Sequence, residues 1–186
     1  MGRPKGSNSN ARERLVAAAG RSFRAGGFGG VGVDGLAKDA GLTSGAFYAH
    51  FDSKMDAFRL AIVDGLELLI GGIERFQDEH GEGWLAPFVD FYFGPRMEAP
   101  LEDACALPTL TTDAARADVT TREAYQQELE KLIAVIAKGL GGDDARERAM
   151  RLLAVFAGGA AIARAVSDDA LRAELIATVR DAAKKC

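Results

Sequence analysis

The sequence predicts an all-α protein of about nine helices, because three of its features favour helix along the whole chain. Apolar residues recur every three or four positions in most segments, which is the period of a helix with one buried face. Alanine and leucine are frequent, whereas only five prolines interrupt the 186 residues. No segment shows the regular alternation of apolar and polar residues that is typical of a strand.

The N-terminal third predicts a three-helix domain, residues 10–53, behind a flexible basic arm, residues 1–9. The glycine-rich segment 26–32 should end the first helix. Gly41 should end the second helix, and Thr43 can cap the third. The three helices are expected over residues 10–25, 34–40 and 44–50.

A second domain, residues 54–186, should begin with one long helix over residues 54–79. Ser53 followed by Asp56 is a capping-box-like start for this helix. Three glycines inside it predict points of close packing or bending: Gly65, Gly71 and Gly72. Five further helices are expected, over residues 84–93, 103–117, 121–138, 145–166 and 170–184.

The charge of the chain is unevenly distributed. The whole protein carries a formal net charge of −4, yet residues 1–54 hold eight basic and four acidic side chains, a net charge of +4. The remaining residues therefore carry −8. Such asymmetry is typical of a nucleic-acid-binding part joined to a different module.

The composition argues against several other classes of protein. Two histidines and two distant cysteines provide neither a metal-ligand cluster nor a disulfide framework. The sequence contains no paired-carboxylate motif and no phosphate loop, so we do not expect an enzyme. We expect no cofactor and no metal. The polar N-terminus is unlike a secretory signal, and the apolar run 152–163 is too short to span a bilayer. We therefore expect a cytoplasmic protein with no membrane partner.

Two short helices joined by Ala40, Gly41, Leu42 and Thr43 predict a helix-turn-helix. Gly41 permits a positive φ at the turn, and Leu42 should fill the angle between the helices. This pattern alone is a weak signal, since many helical proteins contain it without binding DNA.

The segment 33–54 is more specific, because it resembles the DNA-binding signature of the TetR family of repressors. The matching residues are Leu36-Ala37, Ala40-Gly41, Gly45, Phe47-Tyr48, His50-Phe51 and Lys54. Upstream, residues 17–27 followed by Phe28 match the first helix of the family. Gly32 stands where the family has a Ser or Thr cap, and Met55 stands where it has an acidic residue. The resemblance implies a homodimeric transcriptional repressor that binds a palindromic operator.

The resemblance also implies where DNA would be contacted. Small residues at the start of the recognition helix permit close approach to base edges in the major groove: Thr43, Ser44, Gly45 and Ala46. Three more side chains are expected at phosphates: Tyr48, His50 and Lys54. Phe47 and Phe51 should be core. The helix carries no Arg, Asn or Gln, so we expect readout through phosphates, thymine methyls and DNA shape.

The arm is a further candidate for DNA contact. Arg3 and Lys5 flank Pro4 and resemble the core of an AT-hook, which suits a narrow minor groove. The alternative is a solvated tail.

The family's larger domain implies a dimer interface and an effector pocket. The C-terminal helices would form the interface, with these residues close to the partner: Gly158, Gly159, Ala160, Ile162 and Leu175. Aromatic residues that can line a pocket for an unknown small-molecule effector are Trp84, Phe88, Phe91, Tyr92 and Tyr125. The alternative is that most of these aromatics are ordinary core, and that the C-terminal helices pack within one chain.

Cys105 is a candidate sensor of oxidants or electrophiles. Its position resembles a branch of the family that places a cysteine there, although Ala104 replaces the glycine preferred by that branch. A helix N-terminus would lower the pKa of the thiol. The alternative is a small buried apolar residue. Cys186, at the C-terminus, is interpreted as a bystander.

Two other classes of function are alternatives to a repressor. An enzyme would need a partner for Cys105, and no histidine lies near it in sequence. An architectural protein would use Arg3 and Lys5 to bind A·T-rich DNA without preference for an operator.

Overall fold

A computed structural model describes residues 6–186, with side-chain surroundings from residue 12 onward. Nine α-helices make up most of this described part, and no residue of it is in a strand. The helices are α1 (Gly6–Gly30), α2 (Val33–Asp39), α3 (Ser44–Tyr48), α4 (Lys54–His80), α5 (Leu85–Tyr92), α6 (Ala106–Ala114), α7 (Val119–Leu140), α8 (Ala145–Ala165) and α9 (Asp169–Ala183). The all-α prediction is confirmed.

The first helix differs from its predicted bounds at both ends. It begins at Gly6, inside the segment predicted as an arm, because a nucleated helix extends at little cost over adjacent residues. Helical hydrogen bonding continues to Gly30, but Gly27 has φ 67° and ψ 173° and interrupts the helix. The glycine-rich segment therefore acts as a kink. Arg3 and Lys5 lie outside the described residues.

Helices α1 to α3 form a compact head around a common core. Leu36, Phe47 and Phe51 are buried at its centre, which confirms the predicted core positions of Phe47 and Phe51. Phe23 of α1 packs against Phe58 of α4 with ring centroids 5.1 Å apart. The head therefore shares its core with the rest of the molecule, the body, which comprises α4 to α9.

The long helix α4 is the axis of the body. It begins where predicted, because the Ser53 hydroxyl accepts a hydrogen bond from the backbone N–H of Asp56 at 3.0 Å. Gly65 allows close contact with α6, since a Cβ there would overlap the Cβ of Ala106. Gly71 and Gly72 have no neighbouring atom within 4 Å of an added Cβ, so they are not packing points.

The segment after α5 contains more turns than the sequence predicted. Short 3₁₀ helices form at Pro95–Glu98 and Leu101–Asp103, and α6 begins at Ala106 instead of near residue 103. Pro108 explains the later start. It is tolerated in the first turn of a helix, whereas farther in its ring would clash with the carbonyl four residues earlier. None of the described helices is long and apolar enough to cross a membrane.

The glycines of α4 should respond to alanine in opposite directions. Gly71→Ala should raise the free energy of unfolding by up to about 1 kcal/mol, because alanine favours helix and meets no neighbour. Gly65→Ala should lower it by about 1–3 kcal/mol, because its Cβ would overlap Ala106. Urea unfolding at equal protein concentration measures both. Equal stabilisation by the two substitutions would contradict the close approach of α4 to α6.

Candidate nucleic-acid interface and central cavity

The turn between α2 and α3 has the geometry of a helix-turn-helix. Gly41 adopts φ +69°, and the N–H of Leu42 donates to the carbonyl of Ala37 at 2.8 Å. The Thr43 hydroxyl caps α3 by accepting from the N–H of Ala46 at 3.2 Å. The turn is thus fixed by the backbone freedom of one glycine and by one side-chain cap.

Two side-chain hydrogen bonds, which the sequence analysis missed, hold the helices of the head together. Ser44 donates to the carboxylate of Asp34, which joins the N-terminal ends of α3 and α2. Ser22 donates to Asp39 at 2.7 Å, which joins α1 to the end of α2. Ser44 therefore has a structural partner within the head as well as its predicted position at the DNA surface.

The outer face of α3 is small and exposed. Thr43, Gly45 and Tyr48 are exposed, and the side chain of Tyr48 is 60 % exposed. Ala46 is half-buried beside them, and Phe47 is fully buried beneath. This face presents little bulk, so a surface brought against it could approach closely.

A cationic group stands at the start of α4, which follows α3 after a short turn. The ammonium of Lys54 is 4.3 Å from the centroid of the Phe28 ring, a cation–π contact that fixes its position. No carboxylate of the described chain pairs with Lys54, and its N–H donors remain available. Lys54 is the first residue of α4, and anions are favoured at the N-terminus of a helix. His50, half-buried, lies two residues after the end of α3.

Polar contacts join α1 of the head to the body, in addition to the packing of Phe23 on Phe58. Arg21 pairs with Asp103, and the Nε of Arg24 donates to the carbonyl of Glu102 at 2.8 Å. The N–H of Phe28, just after the kink, donates to the Asp113 carboxylate at 2.7 Å. The position of α1 therefore depends on the segment that contains Leu101–Asp103 and α6.

A cavity of about 250 Å³ lies in the body next to this junction. Residues of α1, α4, α5 and α6 enclose it, together with Arg96 from the 3₁₀ segment Pro95–Glu98. The apolar and aromatic lining includes Leu68, Leu69, Phe88, Phe91 and Tyr92. Sequence reasoning named the last three of these.

Trp84 and Tyr125 are corrections to the predicted lining, because neither belongs to this cavity. Trp84 is fully buried, and its indole N–H donates to the carbonyl of Gly139 at 2.9 Å, which anchors α7. The Tyr125 hydroxyl lies 2.9 Å from the Thr111 hydroxyl, and the side chain lines a separate groove between α7 and α8. Both aromatics have structural roles that their positions in the sequence did not distinguish.

Sequence reasoning missed the charged residues of the cavity, which are all arginines: Arg24, Arg75 and Arg96. Arg24 and Arg96 are half-buried, whereas Arg75 is exposed at the mouth. Burial lowers the pKa of Arg24, and the carboxylate of Asp103 opposes that shift.

Cys105 lies on the wall of the cavity as the N-cap residue of α6. Burial raises the pKa of its thiol, and the Tyr92 hydroxyl and the Leu107 backbone N–H, which favour the thiolate, do not offset this effect. The prediction that the helix N-terminus lowers the pKa of the Cys105 thiol was therefore wrong. The described residues contain no group of three or more His, Cys, Asp or Glu side chains that could hold a metal ion.

Of the residues predicted to lie at the dimer interface, some are buried within the protomer and others lie on its surface. Gly159 packs against Val179 of α9, where a Cβ would lie 2.9 Å from the valine Cγ1, and Ala160 is buried. These two residues face the protomer's own core, which corrects their expected position at the partner. Ile162 is 57 % exposed and Gly158 adjoins open space, whereas Leu175 is half-buried.

Comparison with known proteins identifies the N-terminal part. Residues 15–60 match the family model of bacterial regulatory proteins, tetR family. No curated protein sequence matches the chain. This matched segment contains the helix-turn-helix, Lys54 and the first turns of α4.

Solved structures of similar fold extend over nearly the whole chain. The reduced form of E. coli NemR has a TM-score of 0.76 at 17 % identity, covering 92 % of this chain and 95 % of NemR. A TetR-family regulator from Agrobacterium tumefaciens has 0.77 at 16 %, covering 94 % and 97 %. A TetR regulator from Haloarcula marismortui has 0.72 at 20 %, covering 95 % and 96 %. These similarities show a shared fold.

Cys105 should react as an ordinary protonated thiol near neutral pH, because burial raises its pKa. In a Cys186→Ser protein, iodoacetamide reports on Cys105 alone, since the chain has two cysteines. Its alkylation at pH 7 should be slower than that of free cysteine and should still be rising at about pH 9. Faster alkylation than free cysteine at pH 7 would contradict a raised pKa.

Proposed function

Because this chain belongs to the TetR family of DNA-binding transcriptional regulators, we propose that it is a repressor. In this proposal a homodimer binds a palindromic operator, and a small molecule in the central cavity releases it. The observation that carries the proposal is the exposed face of α3 together with the unpaired cation of Lys54 at the start of the next helix. A duplex with its phosphates is the surface that such a face suits.

The head would contact mainly the sugar-phosphate backbone of the DNA. Tyr48 is 60 % exposed and provides a hydroxyl donor for a phosphate, and Lys54 provides a charge-assisted donor at the N-terminus of α4. Gly45 and Ala46 would admit thymine methyl groups but cannot make bidentate contacts to bases. Sequence preference would then come from DNA shape and from the spacing of two heads.

Dimerisation would use the outer faces of α8 and α9. Ile162 is 57 % exposed on α8, and Leu171 is 45 % exposed on α9. Small residues on the same side of α8, such as Gly158 and Ala161, permit close approach of a second helix. A surface on which exposed apolar residues adjoin small ones suits a two-fold symmetric interface between helices, which would bury the apolar side chains.

Release would follow from the contacts between α1 and the body. Arg24 lines the cavity and also holds the carbonyl of Glu102, so a ligand in the cavity touches a residue of the head. A ligand that favours a different position of α1 would shift the dimer toward a head spacing that does not fit the operator. We propose reversible binding instead of modification of Cys105, because burial keeps that thiol protonated.

Removal of two predicted phosphate contacts should abolish tight operator binding. The DNA is a palindrome that the wild-type protein selects from a random pool, and band shifts measure affinity against salt. Tyr48→Ala/Lys54→Ala should weaken binding more than about tenfold and reduce the slope of log affinity against log salt by about 2, since each protomer loses one cation. Lys138→Ala removes an exposed lysine of α7 and is the charge-matched control. Unchanged affinity and slope in the double variant would contradict the interface.

A charged residue introduced on the outer face of α8 should dissociate the proposed dimer. Ile162→Asp buries a carboxylate in the proposed interface, so light scattering at micromolar concentration should detect a monomer that no longer binds the palindrome. Val119→Asp is the matched control, because Val119 is also 57 % exposed but lies at the start of α7. An Ile162→Asp protein that remains dimeric, or equal dissociation of both variants, would place the interface elsewhere.

A further inference from the structure

We propose that the central cavity binds a small organic monocarboxylate, with the carboxylate between Arg96 and the hydroxyl of Tyr92 and the apolar part against Phe88 and Phe91. This inference rests on the proposed function, because it names the chemical class of the effector. It is carried by unpaired polar groups inside the cavity.

The arginines of the cavity differ from most other arginines of the chain in their pairing. Within the part of the chain that the structure describes, Arg24, Arg75 and Arg96 have no carboxylate at ion-pair distance. Seven arginines elsewhere are paired: Arg21, Arg59, Arg146, Arg148, Arg151, Arg172 and Arg180. Arg24 and Arg96 are half-buried, and guanidinium groups in such positions without a counter-ion favour the entry of an anion.

The Tyr92 hydroxyl is a second unpartnered group at the same place. Tyr92 is 3 % exposed, and among the described residues its hydroxyl oxygen has no hydrogen bond of ordinary geometry, although the Cys105 thiol lies close enough to interact with it. Arg96 and Cys105 line the cavity beside it. Burial raises the pKa of Tyr92 well above its ordinary value, so the hydroxyl stays protonated and can donate to a carboxylate. An unpaired buried hydroxyl costs free energy that such a ligand would recover.

Arg164 lies near Tyr92 and Arg96, but its guanidinium already donates hydrogen bonds to the backbone. Its guanidinium donates to the carbonyls of Ala99 and Arg96 at 3.0 and 3.2 Å. It therefore holds the backbone of the segment that carries Arg96, while the Arg96 guanidinium stays available. This arrangement positions a cation at the cavity without neutralising it.

The acidic residues nearby favour Arg96 over Arg24 as the main anion ligand. Asp64 and Asp103 both interact favourably with the charge of Arg24, and Asp103 is itself paired with Arg21. Asp64 and Glu67 line an outer groove that shares Arg75 with the mouth. No carboxylate lines the cavity itself, so an anion inside meets cations only.

The size and lining of the cavity determine the rest of the ligand. About 250 Å³ is below the range of about 300–1,000 Å³ that drug-sized ligands occupy, which favours a single ring or a short chain. Phe88 is buried, and Phe91 and Leu68 are exposed at the mouth by 42 % and 68 %. Apolar walls with a cationic end select an amphipathic acid over an inorganic anion.

Calorimetric titration of the full-length protein tests the proposal with a panel of benzoate, salicylate, hexanoate and octanoate, each compared with its neutral amide. At least one acid should bind more than about tenfold tighter than its amide, because a charged hydrogen bond is lost in the amide. Arg96→Met and Tyr92→Phe should each weaken binding of the acid by a larger factor than binding of the amide, whose neutral carbonyl accepts weaker hydrogen bonds from the same groups. Arg122→Met removes an exposed arginine of α7 and should behave as wild type.

Thermal unfolding without ligand checks that each variant folds. Equal binding of acids and amides would overturn the carboxylate class, as would full acid binding by Arg96→Met or no binding by any acid of the panel. Band shifts without ligand separate this result from the proposed function. A protein that binds its palindrome but no acid retains the proposed operator binding, whereas one that binds acids but no palindrome overturns the proposed function alone.

Discussion

The packing of α1 against α4 is the contact on which the rest of the structure depends. Phe23, Phe28 and Phe58 form a cluster in which ring centroids are 5.1 to 6.0 Å apart. Each such pair contributes about 0.5–1.5 kcal/mol beyond the burial of its area. The cluster joins the core of the head to the core of the body, and Lys54 lies on the Phe28 ring. The position of the head and that of the Lys54 cation therefore both depend on these three side chains.

Arg24 extends this dependence into the cavity. Two glycines leave room for its guanidinium, since a Cβ at Gly20 would lie 3.1 Å from Nη1 and one at Gly65 would lie 4.0 Å from the same atom. One side chain of α1 thus forms part of the cavity wall and bonds to the Glu102 carbonyl. Head and cavity share a residue directly, and no chain of intermediate residues is needed to connect them.

Sequence reasoning succeeded where the determining interaction is local. The caps at Thr43 and Ser53 each bond to a backbone N–H three residues later, so the helix starts could be read from adjacent residues. Helices α7 to α9 were predicted within two residues of their observed bounds, and glycine or aspartate stands at the α7–α8 and α8–α9 boundaries.

The candidate site depended on partners far away in sequence, and there the predictions were incomplete. Gly159 and Ala160 permit close helix packing, but the same small residues suit contact within a chain or between chains. Trp84 finds its hydrogen-bond acceptor at Gly139, which no periodicity indicates. Arg96 looks like any solvated arginine until the fold places it beside Tyr92.

The adjacent glycines of α4, Gly71 and Gly72, have a consequence for motion. Both lack packing neighbours, Gly72 lines the cavity, and each lowers helix propensity by about 1 kcal/mol relative to alanine. The buried residues on either side, such as Leu66 and Ile73, are held by the core. Local opening is least costly where packing is sparse. We therefore expect α4 to open locally most readily at Gly71 and Gly72, at the mouth of the cavity.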